Sequence, residues 1–253
     1  MKGLTHQNLL DARTRFRSCA RKIEQRRVAD KPLVPTDREM QIGFGVCADW
    51  QRWAATLDDL HFSSASEQRS SRAAGLTESV RFNCMWTGTN AVFARDSILS
   101  LAIQPAPLPP LGGEESRFRL LYDFAEVPKP IVFAEQKLLN QLLRMECEAE
   151  PLAGVPAKPS YMMWEIIFYK YTVEPQRALG IGRKIGMALA DGACPYLDAP
   201  AIIYGARNWN VHGVLLSSSF RGIRRKYVVF MNSIMLVLSE MLARSAAKFE
   251  ALL

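Results

Sequence analysis

Residues 77–99, TESVRFNCMWTGTNAVFARDSIL, decide the fold class of this 253-residue chain. Thr77 and Glu78 open the segment, and large apolar side chains then recur at three- and four-residue intervals, as on one face of an α-helix. The members of this stripe are Phe82, Met85, Trp86, Val92, Phe93 and Leu99. The segment therefore predicts a long helix that ends before Pro105.

The sequence that follows is also helical in its spacing. Two stretches rich in proline, residues 104–113 and 151–159, must be loops or extended linkers. Residues 161–172 fit either a helix or a buried strand, and Pro200 fits the first turn of a helix. The other segments with helical spacing are residues 116–126, 131–148, 175–190, 200–212 and 225–252. Because no stretch alternates with period two for long enough to demand a sheet, the predicted fold class is all-α.

Two helices are predicted before residue 77. Residues 9–28 predict a basic, weakly amphipathic helix that the prolines at 32 and 35 stop. Thr36 and Glu39 have the spacing of a capping box, which predicts that a second helix starts at Thr36. The apolar stripe of that second helix consists of Trp50, Trp53, Leu57 and Leu60.

The polar segment 63–75, rich in Ser and Arg, is the first candidate for a domain boundary. We therefore predict a basic N-terminal helical extension over residues 1–75 and a helical domain over residues 76–253. An insertion around residues 104–159 interrupts that domain.

Composition excludes several classes of protein. With 49% apolar and 23% charged residues, the chain has the composition of a folded globular protein. No apolar segment has the length of a signal sequence core or of a membrane span, so no membrane partner is expected. The cysteines form no C-x-x-C pair and are odd in number, which predicts a reducing, cytoplasmic location without a disulfide framework. They are Cys19, Cys47, Cys84, Cys147 and Cys194.

Positive charge is concentrated in two places. Residues 1–38 hold ten Lys/Arg against four Asp/Glu, which is most of the net charge of +7. A second basic cluster consists of Arg221, Arg224, Arg225 and Lys226. Both places predict contact with RNA phosphates, and the alternative is that they are ordinary solvated surface.

The chain contains only three histidines, and they differ in their neighbours. We expect His6 to be a solvated side chain near the terminus and His61 to interact with the carbonyl end of a helix. His212 instead follows Arg207, Asn208 and Asn210 within six residues. This density of polar groups after an apolar segment makes the stretch our candidate site.

Helical geometry restricts how that site can work. Asn208 and His212 are four residues apart and would share one face of a helix, so that the amide could orient the imidazole. Arg207 and His212 are five apart, which is roughly 140° of rotation on a helix. A shared site therefore requires either that the motif starts in a non-helical turn or that a second chain supplies one of the two groups.

The sequence Arg207-Asn208-x-x-x-His212 resembles the R-x(4–6)-H signature of the HEPN ribonucleases. The run 81–93, with Trp86 and then Asn90 before small and aromatic residues, is similar to the first long helix of that family. His212-Gly213, followed by a closing helix, is similar to its last part. The resemblance covers residues 77–253.

This resemblance implies a HEPN-like helical bundle and a metal-independent endoribonuclease that needs no cofactor. Attack by the RNA 2′-hydroxyl requires a base, an acid and positive charge on the phosphate. His212 would transfer protons, Arg207 would bind phosphate and Asn208 would orient the imidazole. Two copies facing each other in a homodimer would supply both acid and base. Toxin or antiphage defence activity, with an antitoxin or sensor protein as partner, is implied as well.

Other interpretations of the same residues stay open. Arg207 and Asn208 could satisfy buried carbonyls while His212 caps a helix before Gly213. The chain would then be a non-catalytic helical module that binds nucleic acid or a protein partner. Three further residues are predicted to support the site: Asn210, which could donate to RNA, Tyr204 and Asn90. The alternative for Asn90 is an interhelical hydrogen bond beside a core Trp86.

Overall fold

The computed structural model describes residues 2–27, 33–58, 71–128, 146–147, 161–162, 199–211 and 224–253. These residues form seven α-helices, which confirms the all-α fold class. The helices are α1 (Lys2–Glu24), α2 (Pro35–Thr56), α3 (Ser71–Phe93), α4 (Asp96–Ala102), α5 (Glu114–Ala125), α6 (Ala199–Val211) and α7 (Arg224–Leu252). Among these helices, none combines the length and apolarity that a membrane span requires.

One antiparallel strand pair accompanies the helices in the described ranges. Strand β1 (Glu146–Cys147) pairs with β2 (Tyr161–Met162), so that Glu146 lies opposite Met162. The helix predicted over residues 131–148 is therefore wrong at its end, where Glu146 and Cys147 are extended and pair with β2. At the start of 161–172 the strand alternative is the correct one. The rest of both segments, and the helix predicted at 175–190, lie outside the described residues.

The chain divides into two compact units. The first comprises residues 1–58, 80–128 and 235–253, and the second comprises residues 59–79 and 129–234. The predicted division into residues 1–75 and 76–253 does not coincide with these units, since Gly75 lies inside α3. Residues 1–58 of the predicted N-terminal extension belong to the first unit, and residues 59–75 belong to the second.

Helix α1 supplies core residues of that first unit. Leu9, Phe16 and Ile23 are buried at one face of α1. The Phe16 ring stacks on Phe44 of α2 at 5.8 Å, and the Phe44 ring lies 5.3 Å from that of Phe249 on α7. A basic sequence therefore produces a core helix, because its cations lie beside or opposite its apolar stripe and not within it.

Polar contacts fasten α1 to α7 as well. The Asn8 side-chain amide donates to the Glu240 carboxylate at 3.0 Å and to the Ser239 hydroxyl at 3.3 Å. Arg15 reaches Glu250 at 3.1 Å while it also pairs with Asp11. These contacts join segments that are more than two hundred residues apart in the sequence.

A second aromatic cluster lies around α3. The Trp86 ring is 4.9 Å from that of Phe118 on α5 and 5.6 Å from that of Phe93, and Trp86 is only 5% exposed. The interpretation of Trp86 as a core residue is confirmed.

The apolar stripe predicted for α2 is wrong. The buried face consists of Met40, Gly43, Phe44, Cys47, Ala48, Gln51, Ala54 and Ala55. Of the four residues predicted for the stripe, Trp53 is 57% exposed, Trp50 and Leu57 are half-buried, and Leu60 lies outside the described residues. The reason is close helix packing, because a Cβ atom at Gly88 of α3 would collide with the Gln51 amide and lie 3.0 Å from the Trp50 Cβ atom. Small residues therefore form this contact, and the large Trp53 side chain is excluded from it.

Two helix ends differ from the predictions. Val34 is the N-cap of α2 and Pro35 is its first residue, so Thr36 lies inside the helix and the predicted capping box does not form. The single helix predicted over residues 77–99 is broken between α3 and α4. Arg117 of α5 donates to the Phe93 and Ala94 carbonyls at 3.3 and 3.4 Å, which satisfies the end of α3 at that break.

Candidate functional site

Helix α6 carries the candidate motif. Pro200 occupies its first turn, as predicted, and the helix continues to Val211. Arg207 therefore lies within a helix, which excludes the alternative that the motif starts in a non-helical turn. His212 follows Val211 directly and lies outside the described residues.

The Arg207 guanidinium is positioned by an aromatic ring. Its central carbon lies 5.8 Å from the centre of the Tyr204 ring, one turn earlier on α6, and both side chains are half-buried. A cation over an aromatic face is stabilised by the ring quadrupole. The negative end of the helix dipole also favours a cation in this last part of α6. Tyr204 thus restricts where the positive charge of the motif can be.

Asn210 connects α6 to α7 within the second unit. Its amide nitrogen donates to the Ala206 carbonyl at 2.9 Å and lies 3.8 Å from the sulfur of Met231. Ile203 and Ala206 are buried on the same side of the helix. The contact gives Asn210 a structural role, and the donation to RNA that we predicted stays a prediction. For Asn208 the structure gives the helical backbone alone.

Asn90 lies one turn after Trp86 on α3, in the first unit. Its side chain is half-buried, and it forms no hydrogen bond to another side chain in the part of the chain that the structure describes. The interhelical hydrogen bond is thus not found among those residues. The supporting role of Asn90 at a cleft stays a prediction.

The second basic cluster begins α7. Arg224, Arg225 and Lys226 are its first three residues, and the first turn contains no acidic residue. Cations at this position add to the positive end of the helix dipole, so their presence is unfavourable for the helix and attractive for anions. Arg221 lies outside the described residues.

His6 is exposed, as predicted, but it does not lie in a frayed terminus. It belongs to α1, and its Nδ1 atom lies 3.0 Å from the carbonyl oxygen of Ala55 near the end of α2. The last carbonyls of a helix lack partners within that helix, which explains the contact. His61 lies outside the described residues.

Three of the cysteines, Cys19, Cys47 and Cys84, are poor nucleophiles. Burial raises the pKa of the Cys19 thiol to about 12, and burial also raises the pKa of Cys47 and of Cys84. A thiol that stays protonated is neither a nucleophile nor a metal ligand. Within the described ranges, no group of three or more His, Cys, Asp and Glu side chains could hold a metal ion.

An exposed pair of side chains on α2, Arg52 and Trp53, was not predicted from the sequence. The Arg52 guanidinium lies 5.4 Å from the centre of the exposed Trp53 ring on α2. The helical spacing could have indicated that Trp53 is exposed. Trp53 is eleven residues from Ile42 and lies on the same helix face, which is opposite the buried small residues.

Comparisons with protein-family models, with curated proteins and with solved structures find no match to this chain. The similarity to HEPN ribonucleases accordingly rests on the motif residues of α6 and on the run in α3.

Proposed function

We propose that this chain is a metal-independent endoribonuclease of the HEPN type, in which Arg207 and His212 are catalytic and Asn208 orients the imidazole. The observation that carries the proposal is the position of Arg207. Its guanidinium lies over the Tyr204 ring near the end of α6, and His212 follows five residues later in the sequence.

The chemistry follows from these side chains. An imidazole has a pKa near neutrality, so His212 could remove the 2′-hydroxyl proton or protonate the leaving 5′-oxygen. Arg207 would supply a guanidinium, a positively charged group whose parallel donors suit phosphate oxygens. The positive charge would stabilise the transition state, in which negative charge accumulates on those oxygens.

A single motif is incomplete for this reaction. Residues 207–211 are helical, and a helix that continued to His212 would direct Arg207 and His212 roughly 140° apart. One motif also contains only one imidazole. We therefore propose a symmetric homodimer in which each chain completes the site of the other.

RNA would be held by the positive charges around the motif. Arg224, Arg225 and Lys226 open α7 and belong to the same unit as Arg207. The N-terminal charges contribute less than their number suggests, because Arg15 and Arg17 pair with acidic side chains of the first unit. Toxin or antiphage activity in the cytoplasm, controlled by an antitoxin or sensor protein, completes the proposal.

The alternative is a non-catalytic helical module that binds nucleic acid or a protein partner. The observation that favours it is the Asn210 side chain, which packs α6 against Met231. If the polar residues of α6 stabilise helix packing, their presence is explained without a catalytic role.

Incubation of the purified chain with RNA in EDTA tests the proposal. We expect cleavage that yields 2′,3′-cyclic phosphate and 5′-hydroxyl ends, whereas DNA stays intact because it lacks the nucleophile. Arg207→Ala and His212→Ala should each reduce the rate at least ~100-fold, the range seen when one transition-state donor is removed. Arg244→Ala, which removes a partly exposed arginine that pairs with Glu240 and lies outside both basic segments, is the matched control. Activity that needs a metal ion and leaves 5′-phosphate ends, or that survives His212→Ala, would refute the assignment.

A further inference from the structure

The proline-rich segment between α4 and α5 has a regular pattern of exposure. Its sequence, residues 104–113, is QPAPLPPLGG. Leu108 and Leu111 are half-buried, whereas all other residues of the segment are exposed. The two half-buried residues are three apart, and three residues make one turn of a polyproline II helix. The pattern is therefore that of a polyproline II helix with one edge partly covered by the protein and two edges toward solvent.

Covalent constraints favour the same backbone conformation. The rings of Pro107, Pro109 and Pro110 fix φ near the polyproline II value. Leu108 and Pro109 each precede a proline, which restricts them to extended conformations. Residues 107–112 form no backbone–backbone hydrogen bond with any residue that the structure describes, and polyproline II likewise has no internal hydrogen bonds.

Both ends of the segment are attached to the first unit. The Ala106 N–H donates to the Ile103 carbonyl at 3.0 Å, and the Arg117 N–H donates to the Gly113 carbonyl at 3.2 Å. The ion pair of Arg117 with Asp96, at 2.5 Å, holds the start of α5 beside the start of α4. The exposed prolines therefore belong to a segment with fixed ends, which lowers the conformational entropy that binding would cost.

The two exposed edges carry two dipeptides that end in proline. Ala106 and Pro109 lie on one edge, and Pro107 and Pro110 lie on the next, because residues three apart share an edge. Each of the two dipeptides, 106–107 and 109–110, thus presents one residue on each exposed edge. Leu108, which separates them, lies on the partly covered edge. A groove that covers both exposed edges can therefore contact the two dipeptides without displacing Leu108.

We infer that residues 106–110 are a docking site for a protein domain whose surface groove is lined by aromatic side chains. Such grooves bind Pro-x-x-Pro segments in the polyproline II conformation, which is the spacing of Pro107 and Pro110. The carbonyl groups of the segment can accept hydrogen bonds from Trp and Tyr side chains of such a groove. This inference goes beyond the proposed function and does not depend on it, because docking requires no cleavage of RNA.

A connecting role alone does not account for the segment. Ile103 and Ser116, on either side of it, line the same surface cavity, so its two ends are close together in space. Connections between neighbouring helices usually need only roughly two to eight residues, and this one is longer. Residues 104–113 also contain no Lys or Arg, so that RNA phosphates are disfavoured as the bound group.

Binding of the full chain to an array of purified SH3 and WW domains, which have aromatic grooves of this kind, tests the inference. We expect at least one domain to bind the wild-type chain. Pro107→Ala together with Pro110→Ala should raise the dissociation constant at least about tenfold, as for central interface residues. Pro35→Ala is the matched control and should leave binding unchanged, because Pro35 is an exposed proline of the same unit at the start of α2. Thermal melting monitored by circular dichroism shows whether each variant is folded.

A competition measurement separates the segment from the rest of the fold. A synthetic peptide with the sequence of residues 104–113 should displace the full chain from the same domain. The same peptide with Pro107→Ala and Pro110→Ala should not. The inference is overturned if no domain of the array binds the chain, if binding survives the double substitution, or if the unmodified peptide fails to compete. RNA cleavage assays on the same protein variants report separately on the proposed function.

Discussion

Helices α1 and α6 both carry arginine next to apolar residues, and they use it differently. On α1, Arg15 and Arg17 pair with carboxylates of α7 and α2, so that the charges hold three helices together. On α6, Arg207 lies over an aromatic ring of its own helix. The comparison teaches that a count of basic residues does not locate a phosphate site. The contacts of each cation decide which of them contribute to folding.

The largest expected effect concerns α1. Phe16→Ala should lower the free energy of unfolding by about 3–5 kcal/mol, because it removes a fully buried ring from the contact with Phe44. Urea denaturation measures this change. Arg13→Ala, on the same helix and half-buried, should change the free energy by less than about 0.5 kcal/mol. A loss below about 1 kcal/mol for Phe16→Ala would restore the view of α1 as an appended arm.

A smaller effect is expected where α2 and α3 touch. Gly88→Ala should cost about 1–3 kcal/mol of stability, because the added methyl group meets the Gln51 amide and the Trp50 Cβ atom. Gly45→Ala on α2 is the control, since a Cβ atom there has no neighbour within 4 Å. That change should raise stability by up to about 1 kcal/mol through helix propensity. Equal effects of the two substitutions would show that the helices do not pack closely at Gly88.

The smallest expected effect concerns α6. Asn210→Ala removes the hydrogen bond to the Ala206 carbonyl and the contact with Met231, and should lower stability by about 0.5–1.5 kcal/mol. Chemical denaturation measures the loss, and filter binding measures RNA affinity in parallel. Unchanged stability together with weaker RNA binding would mean that Asn210 binds RNA and does not stabilise the fold. The polar residues of α6 would then differ in role from the arginines of α1.

Much of the helical framework could be predicted from periodicity. The segments that form α1, α5, α6 and α7 have apolar residues at helical spacing. Their predicted bounds differ from the observed bounds mainly at the helix ends. The break after Phe93 could not be predicted, because no proline or glycine marks it in the sequence. In the structure Arg117, a residue from another helix, donates to the carbonyls there. The buried face of α2 was missed because Gly43 and Gln51 do not look like core residues until their neighbours are known.

The candidate site was predictable only as a set of residues. Sequence spacing placed Arg207 and Asn210 on one helix, and the structure agrees. The partners of those side chains depend on tertiary contacts, as the Met231 contact of Asn210 illustrates. The anchoring of His6 by Ala55 is of the same kind, since nothing near His6 in the sequence indicates that the end of α2 lies beside it.

The contacts between α1 and α7 affect how the protein is made. Asn8 and Glu240 are 232 residues apart, so the ribosome must synthesise nearly all of the intervening chain before α1 meets its partner. At ~5–20 residues per second, that interval lasts roughly 12 to 46 seconds. During translation, α2 is the first helix against which α1 can cover its apolar face, through the contact of Phe16 with Phe44. The core of the first unit is therefore completed late in synthesis. Until then the nascent chain exposes apolar surface of α1 and α2 to which chaperones can bind.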